Sequence, residues 1–349
     1  MILIISNFEL IVDNSFTCFE IVVASLLSWK GYSYELMFMN SWGFSYKPAP
    51  SGLISDGINE CAGGIWYPLE FYQGVKLITK NLEAKTALDF IKEELRNNRP
   101  VIINANTYWC PWHDHYQKLS RSHSIIVLGI DNENGTLDCV DKYTWQSVHG
   151  PCKMSFSDFL NGYQNLIIMN NGKPLARIDW RKIIREAVLC MKSQADYDLI
   201  YYLKKGNLVE RTLLALKLAE LKSKKTSCFD EMRLFAQKVD ESSLENEKQN
   251  GLSIERNSLL VSLMKLTHGR KKFADLLNYL GKAQKVEPLI HGARLMGNST
   301  WQWGDASSHL YNYFQNNDPA EKKRFCEGVK TLAIYEEMIA DMLIKLTYK

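Results

Sequence analysis

The chain has 349 residues, is 46% hydrophobic and carries a formal net charge of +3. Its length predicts two domains, and its apolar fraction suits globular cores of ordinary size. The small charge gives no electrostatic case for nucleic acid or an anionic membrane as partner, and no run reaches the roughly 18 apolar residues of a membrane span.

Met1-Ile-Leu-Ile-Ile5 has no basic flank and its apolar run stops after five residues, which predicts a first strand and not a secretory signal. Thr17-Cys-Phe-Glu-Ile-Val-Val-Ala-Ser-Leu-Leu-Ser-Trp-Lys-Gly31 is apolar all round from 18 to 30, the pattern of a helix buried on every side, with Gly31 as its stop. Residues 32–80 are aromatic and glycine-rich and predict short strands and loops. An amphipathic helix is expected over 83–96, with Leu88, Phe90, Ile91 and Leu95 near one stripe, ended before Pro100. Strands are expected over 101–107 and 123–130. The turn Asn132-Glu-Asn-Gly135 closes a hairpin onto 137–141. A short helix over 156–160 and a strand over 165–169 follow.

Asn170-Asn-Gly-Lys-Pro174 is the expected boundary, giving domains 1–172 and 173–349. Beyond it helical periodicity dominates, over 179–192, 207–223, 227–239, 254–268, 271–288, 305–315 and 319–347, with polar residues 241–251 read as a loop. The eight cysteines (18, 61, 110, 139, 152, 190, 228 and 326) form no CxxC pair, so zinc-ribbon and thioredoxin-type sites lack support, and free thiols in a reducing cytoplasmic setting are expected.

Cys18 stands at the start of its helix, where unpaired N–H groups favour negative charge by ~0.3–1 kcal/mol. Thr17, Ser15 or Asn14 can cap that helix. A thiol with a pKa of about 8.5 needs such help to ionise near neutrality, and an imidazolium from His123 would add more. The imidazole in turn needs an orienting partner. Asp141 follows His123 by eighteen residues across the hairpin, near its open end, while Asp138 lies nearer the turn. A cysteine nucleophile, a histidine base and an orienting carboxylate are how papain-like enzymes perform acyl chemistry. The competing reading is that a cysteine in an apolar helix is most often a small core residue.

His113-Asp-His115 follows Trp109-Cys-Pro-Trp112, but no further ligand set stands at a fitting spacing, so a substrate-lining loop is expected and no metal. Four basic clusters, Arg181–Arg185, Lys222–Lys225, Arg270–Lys272 and Lys322–Arg324, are read first as solvated helix faces and second as docking surface for an acidic partner. Trp301 and Trp303 fall in a loop-like stretch from Gly292 to Gly304, where core or interface packing is expected before a pocket wall.

Several segments together resemble the butirosin biosynthesis protein H N-terminal family, which is similar to papain-like enzymes and bacteriocin-processing cysteine peptidases. They are Thr17-Cys-Phe-Glu20 with its helix to Gly31, Arg99-Pro-Val-Ile-Ile-Asn-Ala-Asn-Thr-Tyr108-Trp-Cys-Pro-Trp-His113, Ser122-His-Ser-Ile-Ile-Val-Leu-Gly129, Val140-Asp141, and Met154-Ser-Phe-Ser-Asp-Phe-Leu-Asn-Gly-Tyr163. The order and spacing carry the resemblance, over roughly residues 10–170.

The resemblance implies an α+β chain, with a papain-like N-terminal domain ahead of an all-α C-terminal one. It implies transfer of an acyl or aminoacyl group from a carrier-protein thioester to an amine in antibiotic-type biosynthesis, with Cys18, His123 and Asp141 catalytic and Tyr108 and His113 lining the substrate. The phosphopantetheine arm would come with an acyl or peptidyl carrier protein, and no metal or redox cofactor is called for. Papain-like peptidases place a Gln about six residues before the nucleophile as an oxyanion donor; here that position is Val12. The Cys18 N–H, with Asn14, Ser15 or Thr17, would have to serve instead. A peptidase, thioesterase or peptide cyclase with the same triad, and a non-catalytic carrier-binding scaffold, are the alternatives.

Overall fold

The computed structural model describes residues 2–59, 64–143, 151–193, 226–249, 251 and 256–348. The expected α+β class is the observed one, an antiparallel sheet in the first half and helices in the second. The chain divides into two compact units, one of residues 1–34 and 69–176, the other of 35–68 and 177–349.

The first unit is a seven-stranded antiparallel sheet. Its strands are β1 (Ile2–Ile4), β4 (Val75–Lys80), β5 (Val101–Asn106), β6 (Ser122–Asp131), β7 (Thr136–Val140), β8 (Cys152–Ser155) and β9 (Tyr163–Asn171), in the order β4-β9-β5-β6-β7-β8. The long strand β6 is buried from His123 to Asp131. Its first part pairs with β5, and β1 takes over alongside Gly129–Asp131. Helix α1 (Cys18–Trp29) packs against β6, and α2 (Ala84–Arg96) packs against β5, β6 and β9. A short helix, α3 (Phe156–Gly162), precedes β9.

Both ends of α1 are built from local signals. Thr17 is the N-cap of a capping box: its hydroxyl accepts the Glu20 N–H, and the Glu20 carboxylate accepts the Thr17 N–H. At the other end Gly31 takes φ +79°, while the N–H groups of Gly31 and Tyr32 bond the carbonyls of Ser28 and Leu27. This is a Schellman stop, which needs a residue at ease in the left-handed region. Between the caps, Ile21 to Leu27 are all buried, so the all-round apolar sequence meets an all-round apolar environment.

The β6–β7 hairpin turns through Asn132–Gly135. The Asp131 carboxylate accepts the N–H groups of Glu133 and Asn134 and the Asn134 amide, and Gly135 takes φ +64°. Next to the turn Gly129 pairs with Asp138, but further along Val127 pairs with Cys139, so Leu128 is an extra residue and the register shifts by one. Beyond the shift the ladder continues Ile126 with Val140. One step further, this sets Asp141 across from Ile125, which shares a face with His123. His123 and Asp141 therefore share one face, and the Tyr143 ring, just past the end of β7, lies 5.5 Å from that of His123. Had the outer register continued unbroken, Asp141 would lie across from Ile126 and face away from His123.

The second unit contains α4 (Trp180–Ser193), α5 (Cys228–Glu241), α6 (Glu245–Gln249), α7 (Ser258–Gln284), α8 (Glu287–Asn316) and α9 (Pro319–Leu346). The expected helix 207–223, Cys61 and the cluster Lys222–Lys225 lie outside the described residues. Residues 35–68, expected in the first domain, group with this unit. Their small hairpin of β2 (Ser45–Tyr46) and β3 (Ile58–Asn59) brings Trp42, Phe44 and Tyr46 onto Phe235, Phe273 and Trp303. Aromatic burial on the helices decides the segment's place, not its position in the chain.

Three sequence expectations are corrected here, two of them through glycine. The breaks expected around residues 269–270 and over 292–304 are absent, because α7 and α8 run straight through. Gly269 lies where a Cβ would come within 2.4 Å of the Ser41 carbonyl oxygen, so it serves close packing and not helix termination. Trp303 accordingly is a fully buried helix residue, while Trp301 is 71% exposed. The polar stretch 241–251 contains the short helix α6 where a loop was expected.

The basic cluster Arg270–Lys272 is not a solvated face either. Arg270 is fully buried and gives two bonds, 2.9 and 3.0 Å, to the buried Glu336 carboxylate and a third to the Gly43 carbonyl. Glu336 also accepts the indole N–H groups of Trp42 and Trp303 and the Ser299 hydroxyl. Burial pushes the Glu336 carboxyl up, but the Arg270 charge and these donors outweigh it and hold the group below the usual carboxylate range.

Candidate active site

Cys18 is the first residue of α1, directly after its cap, so its backbone N–H lies among the donors that have no partner inside the helix. The side chain is half-buried, and His123 and the Ser124 backbone N–H both act on its thiol. His123, 5% exposed on β6, places Nε2 2.7 Å from Asp141 Oδ2, so Nδ1 is the ring nitrogen left to serve the thiol. Asp141, 2% exposed, also accepts the Trp112 indole N–H at 2.8 Å on the same oxygen and the Tyr143 N–H at 3.4 Å on the other.

Each group is shifted by its neighbours. Burial alone pushes the Cys18 thiol up, but the bond to His123, the charge of His123, the Ser124 N–H and the Lys142 charge bring it below its ordinary value. Burial would push His123 down, but the bonds to Asp141 and Cys18 and their charges raise it to about 9. Burial would likewise raise Asp141, while the His123 bond and charge, Trp112 and Tyr143 hold it low. The three shifts favour a thiolate beside an imidazolium near neutral pH, titrating as a coupled pair. By contrast, burial pushes the Cys110 thiol up to about 12 and Cys326 up to about 11.

The loop between β5 and β6 supplies the surroundings. The His113 ring lies 5.4 Å from that of His123 and 4.4 Å from that of Tyr143, and its Nδ1 accepts the His115 N–H. Burial, with the charge of His123, pushes His113 down, which favours the neutral ring. Lys142 holds its ammonium 5.1 Å over the Tyr143 ring. Among the described residues no group of three or more His, Cys, Asp or Glu is placed to hold a metal, and no helix is long and apolar enough to cross a membrane.

The structure thus brings Cys18, His123, Asp141 and His113 together. The Tyr108 ring packs on Trp109 at 5.2 Å, its backbone N–H goes to the Asn106 side chain and its carbonyl accepts the Gln117 N–H. The three residues considered for the oxyanion differ. The Ser15 N–H and hydroxyl both go to Asp13. The Thr17 N–H is taken by Glu20, and its oxygen caps the helix. Asn14 is exposed, and its amide has no partner among the described residues. Asp138 faces away from the site and accepts Lys153 from β8.

Sequence reasoning missed Trp112, Tyr143 and the Ser124 N–H as partners. Tyr143 lies two residues after Asp141, but the strand has ended there and the backbone is helical, so strand alternation does not mark it.

Residues 17–142 match the family model described as Butirosin biosynthesis protein H, N-terminal. The family suggested by the sequence motifs is the one that matches. The matched segment begins at the cap of α1 and ends one residue past Asp141, so it encloses Cys18, His123 and Asp141 and leaves the residues beyond Ala176 outside. No curated protein matches the chain.

Proposed function

We propose that this protein is an acyltransferase of biosynthetic type, with Cys18 as nucleophile, that moves an acyl group from a carrier-protein thioester to an amine. The observation that carries the reading is the buried His123–Asp141 bond of 2.7 Å beside the Cys18 thiol, with the imidazole raised to about 9 and the thiol lowered. The family match supports it: a butirosin biosynthesis protein works in antibiotic formation, and an acyltransferase role there agrees with a thiolate poised for acyl chemistry.

The thiolate of Cys18 attacks the thioester carbonyl carbon. Negative charge builds on the carbonyl oxygen beside the Cys18 N–H. The carbon–sulfur bond to the carrier's phosphopantetheine breaks, the leaving thiol takes the His123 proton, and an acyl-Cys18 thioester remains. An amine then attacks that thioester, His123 takes the amine proton, and the thiolate of Cys18 departs as the amide forms. Asp141 keeps the His123 ring aligned and stabilises its charge in both halves. Val12 in place of a glutamine donor favours an activated thioester over a peptide bond, because a thiolate leaves more readily than an amine.

Intact-mass measurement after mixing the protein with an acyl-pantetheine thioester tests the reading. We expect a mass gain equal to the acyl group, absent in Cys18→Ala, and its discharge as an amide when an amine is added. Discharge at one rate with or without amine identifies a hydrolase. Unchanged mass, with the carrier still bound by Cys18→Ala, identifies a scaffold.

A further inference from the structure

Asp141 Oδ2 is a shared acceptor. It receives His123 Nε2 at 2.7 Å and the Trp112 indole N–H at 2.8 Å. A carboxylate oxygen offers two lone-pair directions, and an indole has a single hydrogen to give. Trp112 is only half-buried, so burial does not force that hydrogen onto a protein acceptor; solvent is within reach of the residue. Its bond to Asp141 is instead aimed by the loop. Pro111 restricts the backbone on one side. On the other, His113 packs its ring against both His123 and Tyr143.

The geometry points to Trp112 as a positioning residue, whose indole N–H fixes the Asp141 carboxylate in the rotation that holds the His123 ring toward Cys18. The inference rests on the acyl-transfer reading of the site and extends its machinery to the β5–β6 loop. The Tyr143 N–H at 3.4 Å on Oδ1 is a longer bond than the indole's 2.8 Å on Oδ2, so loss of the indole donor loosens the carboxylate about its terminal torsion, which is a broad, two-fold well. The imidazole then loses its fixed partner, the imidazolium is less stabilised, and the thiol moves back toward its ordinary ionisation. Trp112 touches neither Cys18 nor the reacting atoms in this scheme and acts wholly through Asp141.

The test is the pH profile of iodoacetamide alkylation of the Cys18 peptide in the full-length protein, read by mass spectrometry, for wild type, Trp112→Phe, Trp112→Gln, Asp141→Asn and the Trp112→Phe/Asp141→Asn double variant. We expect Trp112→Phe to slow alkylation about tenfold near pH 6.5 and to leave it unchanged near pH 10, where the thiol ionises unaided. Trp112→Gln, which keeps an N–H donor, should recover most of the loss. In the Asp141→Asn background Trp112→Phe should add nothing, since non-additivity marks two residues acting on one interaction.

A folded Trp112→Phe with the wild-type profile overturns the inference, and so does an equal loss in the Asp141→Asn background. Failure of both Trp112 variants to fold assigns the residue a structural role and overturns it as well. Should wild-type Cys18 alkylate as an ordinary thiol, the acyl-transfer reading itself fails, and the role of Trp112 with it.

Discussion

Replacing His123 with Ala is expected to lower acyl transfer by ~10²–10⁴-fold, the range that a positioned general acid–base group contributes. The variant loses both the proton acceptor and the charge that holds Cys18 below its ordinary value. The pH profile separates these two roles. His123 is raised to about 9, so its proton is held across neutral pH and lost as pH rises through about 9. Above that, the leaving thiol of the first half-reaction has no acid, and turnover should fall. Alkylation of Cys18 needs only the thiolate and should not fall with it. On the acid side both should decline together as the lowered Cys18 group takes up its proton. Steady-state transfer and single-turnover alkylation across one pH series check this. An alkaline fall that appears in both assays equally would contradict the assignment of His123 as the proton donor.

The second large effect lies in the helical unit. Glu336→Ala should destabilise that unit by about 3–5 kcal/mol, the usual cost of removing one member of a buried ion pair. The Arg270 guanidinium, with no exposed surface, would keep its charge and lose its counter-ion, and the donors of Trp42, Ser299 and Trp303 would lose their shared acceptor. Urea unfolding followed by tryptophan fluorescence reads the change directly, because two of the affected groups are indoles. A shift under about 1 kcal/mol would mean that water or a rearranged neighbour replaces the carboxylate.

Some of the site is legible in the sequence because its signals are local. Thr17 and Glu20 stand at capping-box spacing, the apolar run after Cys18 is unbroken, and Asn132–Gly135 is a recognisable turn. From these the helix start, the hairpin and the order of Cys18, His123 and Asp141 all follow. Other parts depend on contacts that no local pattern records. Trp112 reaches Asp141 across 29 residues. The donors to Glu336 come from Trp42, Arg270, Ser299 and Trp303, which are distant in the chain and are brought together only by helix packing and by an insert that crosses from the first half into the second unit. Glycines mislead in a systematic way. Gly31 ends a helix, as its position suggests, but Gly269 allows a close approach between segments inside a helix, and nothing in its neighbours along the chain distinguishes the two uses.

The extra residue at Leu128 gives the β6–β7 hairpin a phase. The turn at Asn132–Gly135 can lengthen or shorten without disturbing the inner part of the ladder, much as a spacer can vary outside a coding sequence. Within the paired strands, a change of one residue inverts which side Asp141 occupies, while a change of two restores it. Length variation in these strands is therefore confined to even steps, as coding sequence is confined to triplets. Loss of Leu128 itself is the exception, because it removes the extra residue and leaves Val127 with Cys139 and Ile126 with Val140. A one-residue deletion between His123 and Val127, with the bulge kept, would leave every residue of the triad in the chain and disconnect it.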